Sequence, residues 1–203
     1  MGDDWQSIYK FRGAEVAVSQ NFTSEFKNST RLFLSENFRS TRRIVKTGNK
    51  VITQSKKFIK KNVKTARPRG EKPRLLLADE DSTIKQAFAA FKKWYKPSES
   101  RPLTVLVRTN YVKNLIESLK PDAWQILTIH ASKGLEFDNV CVFGVAPGLI
   151  PHKWGDPDEE IRILYVATTR ARERLYYVGW QQRGQQFKLL EKLARSCHLH
   201  YLS

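Results

Sequence analysis

Apolar residues along this chain fall into short continuous runs separated by stretches with helical spacing. The runs TRLFLS (30–35), RLLLA (74–78), TVLVR (104–108), QILTI (125–129), NVCVFGV (139–145) and RLYYVGW (174–180) each predict a strand. Between them, Ile44, Val45, Gly48, Val51, Ile52, Phe58 and Ile59 recur at helical spacing and predict a helix over 41–61. Ile84, Ala87, Phe88, Phe91 and Tyr95 predict a helix over 82–96, stopped by Pro97. Further helices are expected over 112–119, before Pro121, and over 158–173 and 184–196, with a loop at 147–157. Strands apolar on both faces, alternating with helices, predict a parallel sheet covered on both sides, that is, a doubly wound α/β domain. Residues 1–28 are less regular and are expected outside the sheet.

Composition adds one fact that this pattern does not contain. An apolar fraction of 40% in 203 residues fills a core, and 28% charged residues is ordinary, but the net charge is +16. Residues 38–74 hold fourteen Lys and Arg against a single acid, Glu71. Such an excess predicts a polyanionic partner, either nucleic acid or an anionic membrane surface. The most apolar stretch, 140–150, is too short to span a bilayer and is interrupted by Gly and Pro, so nucleic acid is the better explanation. On the basic helix expected over 41–61 two readings stay open: a lining for a DNA path, or a solvated face.

Cys141 and Cys197 lie far apart and form no CxxC, which argues against a disulfide framework or structural zinc and fits a reducing cytoplasm. The opening MGDDWQ has no basic stretch followed by an apolar run, so no signal peptide is expected. His130 lacks a second ligand at helical spacing, and His198 and His200 lack a third, so no metal site is expected in this chain. No glycine-rich GxxxxGKS or GxxxxGKT phosphate loop occurs. LLLADED (75–81) reads as a strand end followed by an acid-rich helix start rather than a magnesium-binding carboxylate.

Four blocks follow one another in a fixed order: GDDWQSIYKFRGA (2–14), LSENFRSTRRI (34–44), LTIHASKGLEFDNV (127–140) and EEIRILYVATTRARERL (159–175). Together they resemble motifs III, IV, V and VI of the UvrD/Rep/PcrA superfamily 1 DNA helicases. TVLVRTN (104–110) resembles the strand this family places between motifs IV and V. The GDDW form and the short interval before motif V resemble the helicase IV branch most.

The resemblance implies a RecA-like second motor domain over 29–203, with 1–28 carried over from the first. The phosphate loop and the metal-binding carboxylates would then precede Gly2. The interval of about 85 residues between motifs IV and V leaves little room for a large accessory domain, and none is expected. It further implies an ATP-dependent helicase that moves on single-stranded DNA and unwinds duplex, with ATP and Mg²⁺ held between this domain and the N-terminal RecA-like domain of the same protein. Phosphoryl transfer depends on cations placed around the γ-phosphate, and arginine suits that work through its planar, permanently charged fork.

By resemblance Arg39 and Arg170 are those cations, and Phe38, where the family has Tyr, stacks on the base. Gln6 senses the γ-phosphate, and Gly134 and Glu136 lie near the nucleotide. Tyr9, Phe11, Arg12, Thr128 and His130 face DNA, the aromatics by stacking on bases. Glu160 and Arg162 are expected to brace their helix. Without its partner domain the chain is expected to lack ATPase activity. Two rivals are a non-enzymatic nucleic-acid-binding module from a truncated relative and a nuclease-fused helicase.

Overall fold

Along β4 (Phe137–Val145), Val140 and Val142 face one way while Cys141 and Phe143 face the other, and all four are fully buried. A strand with no solvated face must be central and covered twice. The computed structural model, which describes residues 2–9, 16–95, 102–119 and 124–202 (only the backbone for 16–20), bears this out. The other strands are β1 (Arg74–Leu77), β2 (Leu103–Val107), β3 (Gln125–Thr128), β5 (Ala171–Gly179) and β6 (His198–Tyr201). They form a parallel six-stranded sheet in the order β3-β2-β4-β5-β1-β6.

One face is covered by α2 (Arg42–Ile52), α5 (Pro157–Thr168) and α6 (Lys188–Ala194), the other by α3 (Ile84–Trp94) and α4 (Asn110–Glu117). A further helix, α1 (Val16–Glu25), carries exposed Phe22 and continues to exposed Phe26, whose ring lies 5.0 Å away. Gly48 of α2 faces Tyr165 of α5 and the following Thr169, and a Cβ there would meet both at ordinary contact distance, 3.4 Å.

Helix starts follow ordinary capping chemistry. Thr83 and Gln86 make a reciprocal capping box on α3, and Thr109 accepts from Val112 N on α4. Asp156 caps α5 with Pro157 in its first turn, followed by Asp158, Glu159 and Glu160. The start of α2 is different. It has no side-chain cap, and its Arg42 and Arg43 amides instead donate to the carbonyls of Pro68 and Arg69 at 3.0 and 3.1 Å. The 68–70 turn must therefore press against Thr41. Gly70 sits at φ +67°, and a Cβ there would lie 2.4 Å from Thr41.

Three expected elements differ. The 30–35 run is not a strand. Its neighbourhood makes only an isolated bridge between Glu36 and Lys64, and Leu32 and Leu34 are 86% and 83% exposed. The apolar pattern is present, but no neighbouring strand pairs with it. The helix expected over 41–61 stops at Ile52, because Asp158 draws the chain off axis by accepting from Ser55 Oγ at 2.7 Å and from Lys56 N. Phe58 and Ile59 continue the apolar spacing but serve another contact, the pocket of Trp5. Finally, α5 ends at Thr168, and residues 171–173 open β5. Thr168 and Thr169 each turn a hydroxyl back to the carbonyl four residues earlier, which competes with helix continuation.

Residues 2–9 stand outside the sheet, as expected, yet they enter its core. A 3-10 turn at Asp4–Gln6 inserts Trp5, 1% exposed, edge-on against Tyr165 at 5.3 Å, with its indole N–H donating to Ile59 O at 2.9 Å. Ile8 is fully buried beside it. Asp4 accepts from Ile59 N, and Lys61 pairs with both Asp3 and Asp4.

Two outcomes follow from this packing. Trp5→Ala should cost about 3–5 kcal/mol, as large-to-small core changes do, and lower the melting temperature by roughly 10 °C in a chain of this size. An unchanged melting curve would mean that the segment is not docked in solution. Gly70→Ala combines a left-handed backbone with a steric clash and should cost at least about 2 kcal/mol, measurable in the same melting experiment.

Candidate functional site

The residues singled out from the sequence collect at the two opposite ends of the sheet. At the amino ends of β4 and β5 stands a basic centre. Arg170 immediately precedes β5 and Glu136 immediately precedes β4, and Phe137 N donates to Arg170 O at 2.9 Å, which ties the two strand starts together. Arg39 is brought in from the turn before α2. Asn37 Oδ1 accepts from Arg39 N and Ser40 N, and Ser40 Oγ donates to Ala171 O at 2.6 Å. The Arg39 guanidinium then donates to Glu136 at 2.6 Å and to Thr169 O at 3.3 Å. Arg172 approaches the other Glu136 oxygen at 3.4 Å. The hydrogen bond from Arg39 holds the Glu136 carboxyl below its usual range, and the charges of Arg39, Arg172 and Arg170 add to the effect.

Arg170 is the unusual member. It is 1% exposed, and its guanidinium is held by neutral acceptors: Val166 O at 3.1 Å, Leu135 O at 3.1 Å and Gln6 Oε1 at 3.2 Å. Burial lowers its pKa to about 10, with Arg39 adding to the shift. Gln6 is in turn held by Asp3 through its amide nitrogen at 2.5 Å. Phe38, beside Arg39, is 81% exposed, and Gly134 is open to solvent at φ +90° with nothing within 4 Å of where a Cβ would stand. Gln6, Phe38, Arg39, Gly134, Glu136 and Arg170 thus share one end of the domain.

The carboxyl ends of β2 and β3 form a separate crevice of about 470 Å³, whose lining includes Arg108, Asn110, Thr128, His130, His152 and Trp154. Glu160 organises it from below. This carboxylate, 1% exposed, takes a two-pronged bond from Arg108 at 2.7 and 3.0 Å and a third from His152 N at 2.8 Å. Gly155 passes so near Glu160 that a Cβ would stand 2.4 Å from its oxygen. The 147–156 loop is pinned in this way and holds Trp154 at the rim, 81% exposed. His130 Nε2 meets Ile8 O at 3.1 Å, and its ring lies 5.8 Å from that of Tyr9. Burial lowers the His130 pKa, with Arg108 contributing, so the ring is neutral at pH 7 and donates through Nε2. Lys133 Nζ stands 4.6 Å over the Tyr9 ring.

The motif V segment joins the two places. It leaves β3 at Thr128 beside Val107, turns through residues 129–134, and enters β4 at Phe137 at the opposite end of the sheet. Thr128 and His130 line the carboxyl-end crevice, whereas Gly134 and Glu136 belong to the basic centre. Glu160 and Arg162 brace as expected, Arg162 through a 2.8 Å bond to Ser7 O. Tyr9 is half-buried between His130 and Lys133, while Phe11 and Arg12 lie outside the described residues. Sequence reasoning missed Arg172, Arg108 and Trp154. An aromatic in a Gly- and Pro-containing loop between a buried strand and a helix cap was the available signal for Trp154.

The chain's donors fit a polyphosphate rather than its metal. Arg39, Arg170 and Arg172 are phosphate partners, and among the described residues no group of three or more His, Cys, Asp or Glu is placed to hold an ion. No helix among them is long and apolar enough to cross a membrane.

Comparison with known proteins places the chain in a family. DNA helicase IV of Escherichia coli is 30% identical over 198 residues, covering 87% of this chain and 28% of that protein. A probable DNA helicase of Mycoplasma pneumoniae is 27% identical, covering 95% of this chain and 41% of its own length. The chain therefore spans less than half the length of each of these relatives. The crystal structure of the C-terminal domain of a possible DNA helicase from Lactobacillus plantarum superposes with a TM-score of 0.50 at 14% identity, over 82% of this chain and 99% of that one, which supports the fold. The family model for the UvrD-like helicase C-terminal domain matches residues 32–122 and 117–182. Most of the chain is covered by that match, and the protein belongs to the UvrD-like helicase C-terminal domain family.

Proposed function

We propose that this domain is the second motor domain of an ATP-dependent DNA helicase and completes a nucleotide site whose phosphate loop and Mg²⁺ carboxylates lie on another RecA-like domain of the same protein. The observation that carries the reading is that Arg39 and Arg172 pair with Glu136 at the end of the sheet where Arg170 is buried among neutral acceptors. In this reading residues 29–203 form the motor domain, without a large accessory insertion, and residues 1–28 continue from the first domain. The short connection between α4 and β3 supports the first point. When bound, ATP with Mg²⁺ supplies the phosphoryl group that is transferred to water.

The chain's own residues then have distinct tasks. Arg39 exchanges Glu136 for a phosphate oxygen, a small change for a guanidinium that is already partly exposed. Arg170 is covered by Gln6, so a shift of the Asp3–Gln6 turn uncovers a desolvated cation with no carboxylate partner among the described residues. A cation in that condition gains strongly from an arriving anion. Phe38 offers an exposed ring for stacking on the base. At the other end, Arg108, Asn110, Thr128 and His130 offer polar groups to a DNA backbone, and Trp154 offers a stacking face. Movement of single-stranded DNA through this crevice, and separation of the strands at a fork, belong to the same reading.

The enclosure of Arg170 also favours a second reading, a nucleic-acid-binding module without catalysis, and activity measurements separate the two. The 203-residue chain alone should show no DNA-dependent ATPase, and robust turnover by it would overturn the division of the site between two domains. In the protein extended to include its phosphate-loop domain, Arg170→Ala should lower kcat by roughly 10³-fold or more with little change in DNA affinity. ATPase unaffected by that substitution would favour the binding module. In the 203-residue chain, Trp154→Ala should weaken single-stranded DNA binding by about 1–3 kcal/mol, read by fluorescence anisotropy.

A further inference from the structure

Helix α2 places Arg42, Lys46 and Lys50 at successive fourth positions, so the three stand on one exposed stripe. Lys64, also exposed, faces them from the extended segment that runs alongside. Between helix and segment lies a cleft of about 350 Å³ lined by Arg42, Lys46, Asn49, Asn62, Lys64 and Thr65 together with Val45 and Val63. It is a built feature, because Asn49 Nδ2 donates to Val63 O at 2.8 Å and holds the segment at a fixed distance from the helix.

The charges here are not compensated. Lys61 and Arg67 of the same stretch pair with Asp3, Asp4 and Glu173, whereas among the described residues Arg42, Lys46, Lys50 and Lys64 have no carboxylate within ion-pair reach. Like charges four apart on a helix repel, and Arg42 and Arg43 also stand at the positive end of the helix dipole with no acid in the first turn. An anion laid along the stripe relieves both penalties.

We infer that this face is a second DNA-binding surface, separate from the crevice, and that it takes the phosphate backbone of duplex DNA. The stripe from Arg42 to Lys50 covers about 12 Å at roughly 1.5 Å per helical residue, matching three to four phosphates at about 3.4 Å of rise per strand. The choice of duplex over single strand rests on what the face lacks. Single-strand surfaces pair a basic groove with exposed aromatic rings on which bases stack. Between Phe38 and Tyr111 no large apolar side chain is exposed among the described residues: Val51 and Ile52 are buried, and Val45 and Val63, which line the cleft, offer no aromatic ring. The same lack disfavours a membrane, since interfacial helices bury apolar side chains in lipid. The crevice presents Trp154 and shares no lining residue with this face. The inference holds whether or not the domain powers a motor.

The test uses the 203-residue chain and fluorescence anisotropy with a labelled blunt duplex of about 20 base pairs and a single strand of the same length, over a range of salt. The triple substitution Lys46→Ala, Lys50→Ala, Lys64→Ala should weaken duplex binding at least about tenfold and flatten the salt dependence by up to about 2.7 in log–log slope, or roughly 0.9 per lost phosphate contact. Single-strand binding should stay within about twofold, whereas Trp154→Ala should show the converse. Lys→Gln at the same three positions, which keeps helix propensity, serves as a second set should the Ala variant melt early. Duplex affinity unaffected by both sets would overturn the inference, as would equal losses for duplex and single strand, which would indicate one shared polyanion surface. Sedimentation with vesicles of phosphatidylserine and phosphatidylcholine is the remaining arm. Vesicle binding that depends on the three lysines, without duplex binding that does, would assign the face to a membrane instead.

Discussion

The arrangement depends on a single buried cation. Arg170 brings a full positive charge out of water and receives only neutral oxygens in return, from Val166, Leu135 and Gln6. Such burial is costly unless the donors are satisfied, so the guanidinium fixes the position of whatever satisfies it. The last turn of α5, the end of motif V and the Asp3–Gln6 turn are held together by one side chain. Its backbone carbonyl takes Phe137 N and sets where β4 begins against β5. A lysine could not replace it, because one ammonium group cannot reach three acceptors in the plane of a fork.

The same geometry explains how two distant places can be related. The crevice opens at the carboxyl ends of β2 and β3, and the basic centre lies at the amino ends of β4 and β5. In a doubly wound sheet these would ordinarily be independent. Here residues 129–136 run from one to the other, anchored at the first end by His130 on Ile8 and at the second by Leu135 on Arg170. Residues 2–9 touch both anchors, since Ile8 and Gln6 belong to the same short stretch.

Much of this was legible in the sequence, for identifiable reasons. Strands buried on both faces leave continuous apolar runs, and β1, β2, β4 and β5 were read from theirs. Caps such as Thr83 with Gln86 and Asp156 with Pro157 write helix starts locally. What failed was nonlocal. TRLFLS has the pattern of a strand but no neighbour to pair with. The helix through 41–61 was ended by Asp158, a residue about a hundred positions away, so no local signal could place its end. The site divided in the same way. Resemblance to the helicase motifs named Arg39, Glu136 and Arg170, but only the parallel register could reveal that motif V spans both ends of the sheet. The burial of Arg170 was not readable at all, because it depends on Gln6 folding over it.

The basic residues can be sorted by how their charge is met, and this decides which of them an external anion can recruit. Arg170 is enclosed and answers only to a rearrangement. Arg39, Arg108, Arg67 and Lys61 are paired with Glu136, Glu160, Glu173 and Asp3, so an incoming phosphate must compete with a carboxylate already in place. That competition favours ligands of high charge density delivered in fixed geometry, as a nucleotide in a cleft would be. Among the described residues the stripe on α2 has no competing carboxylate, so it responds to any polyanion that comes within about a Debye length, roughly 8–10 Å at physiological salt. A net charge of +16 thus overstates how uniformly attractive the surface is. On one helix and the segment beside it, Arg42, Lys46, Lys50 and Lys64 stand close together and exposed, and that local density, rather than the total, is what a DNA backbone laid there would meet.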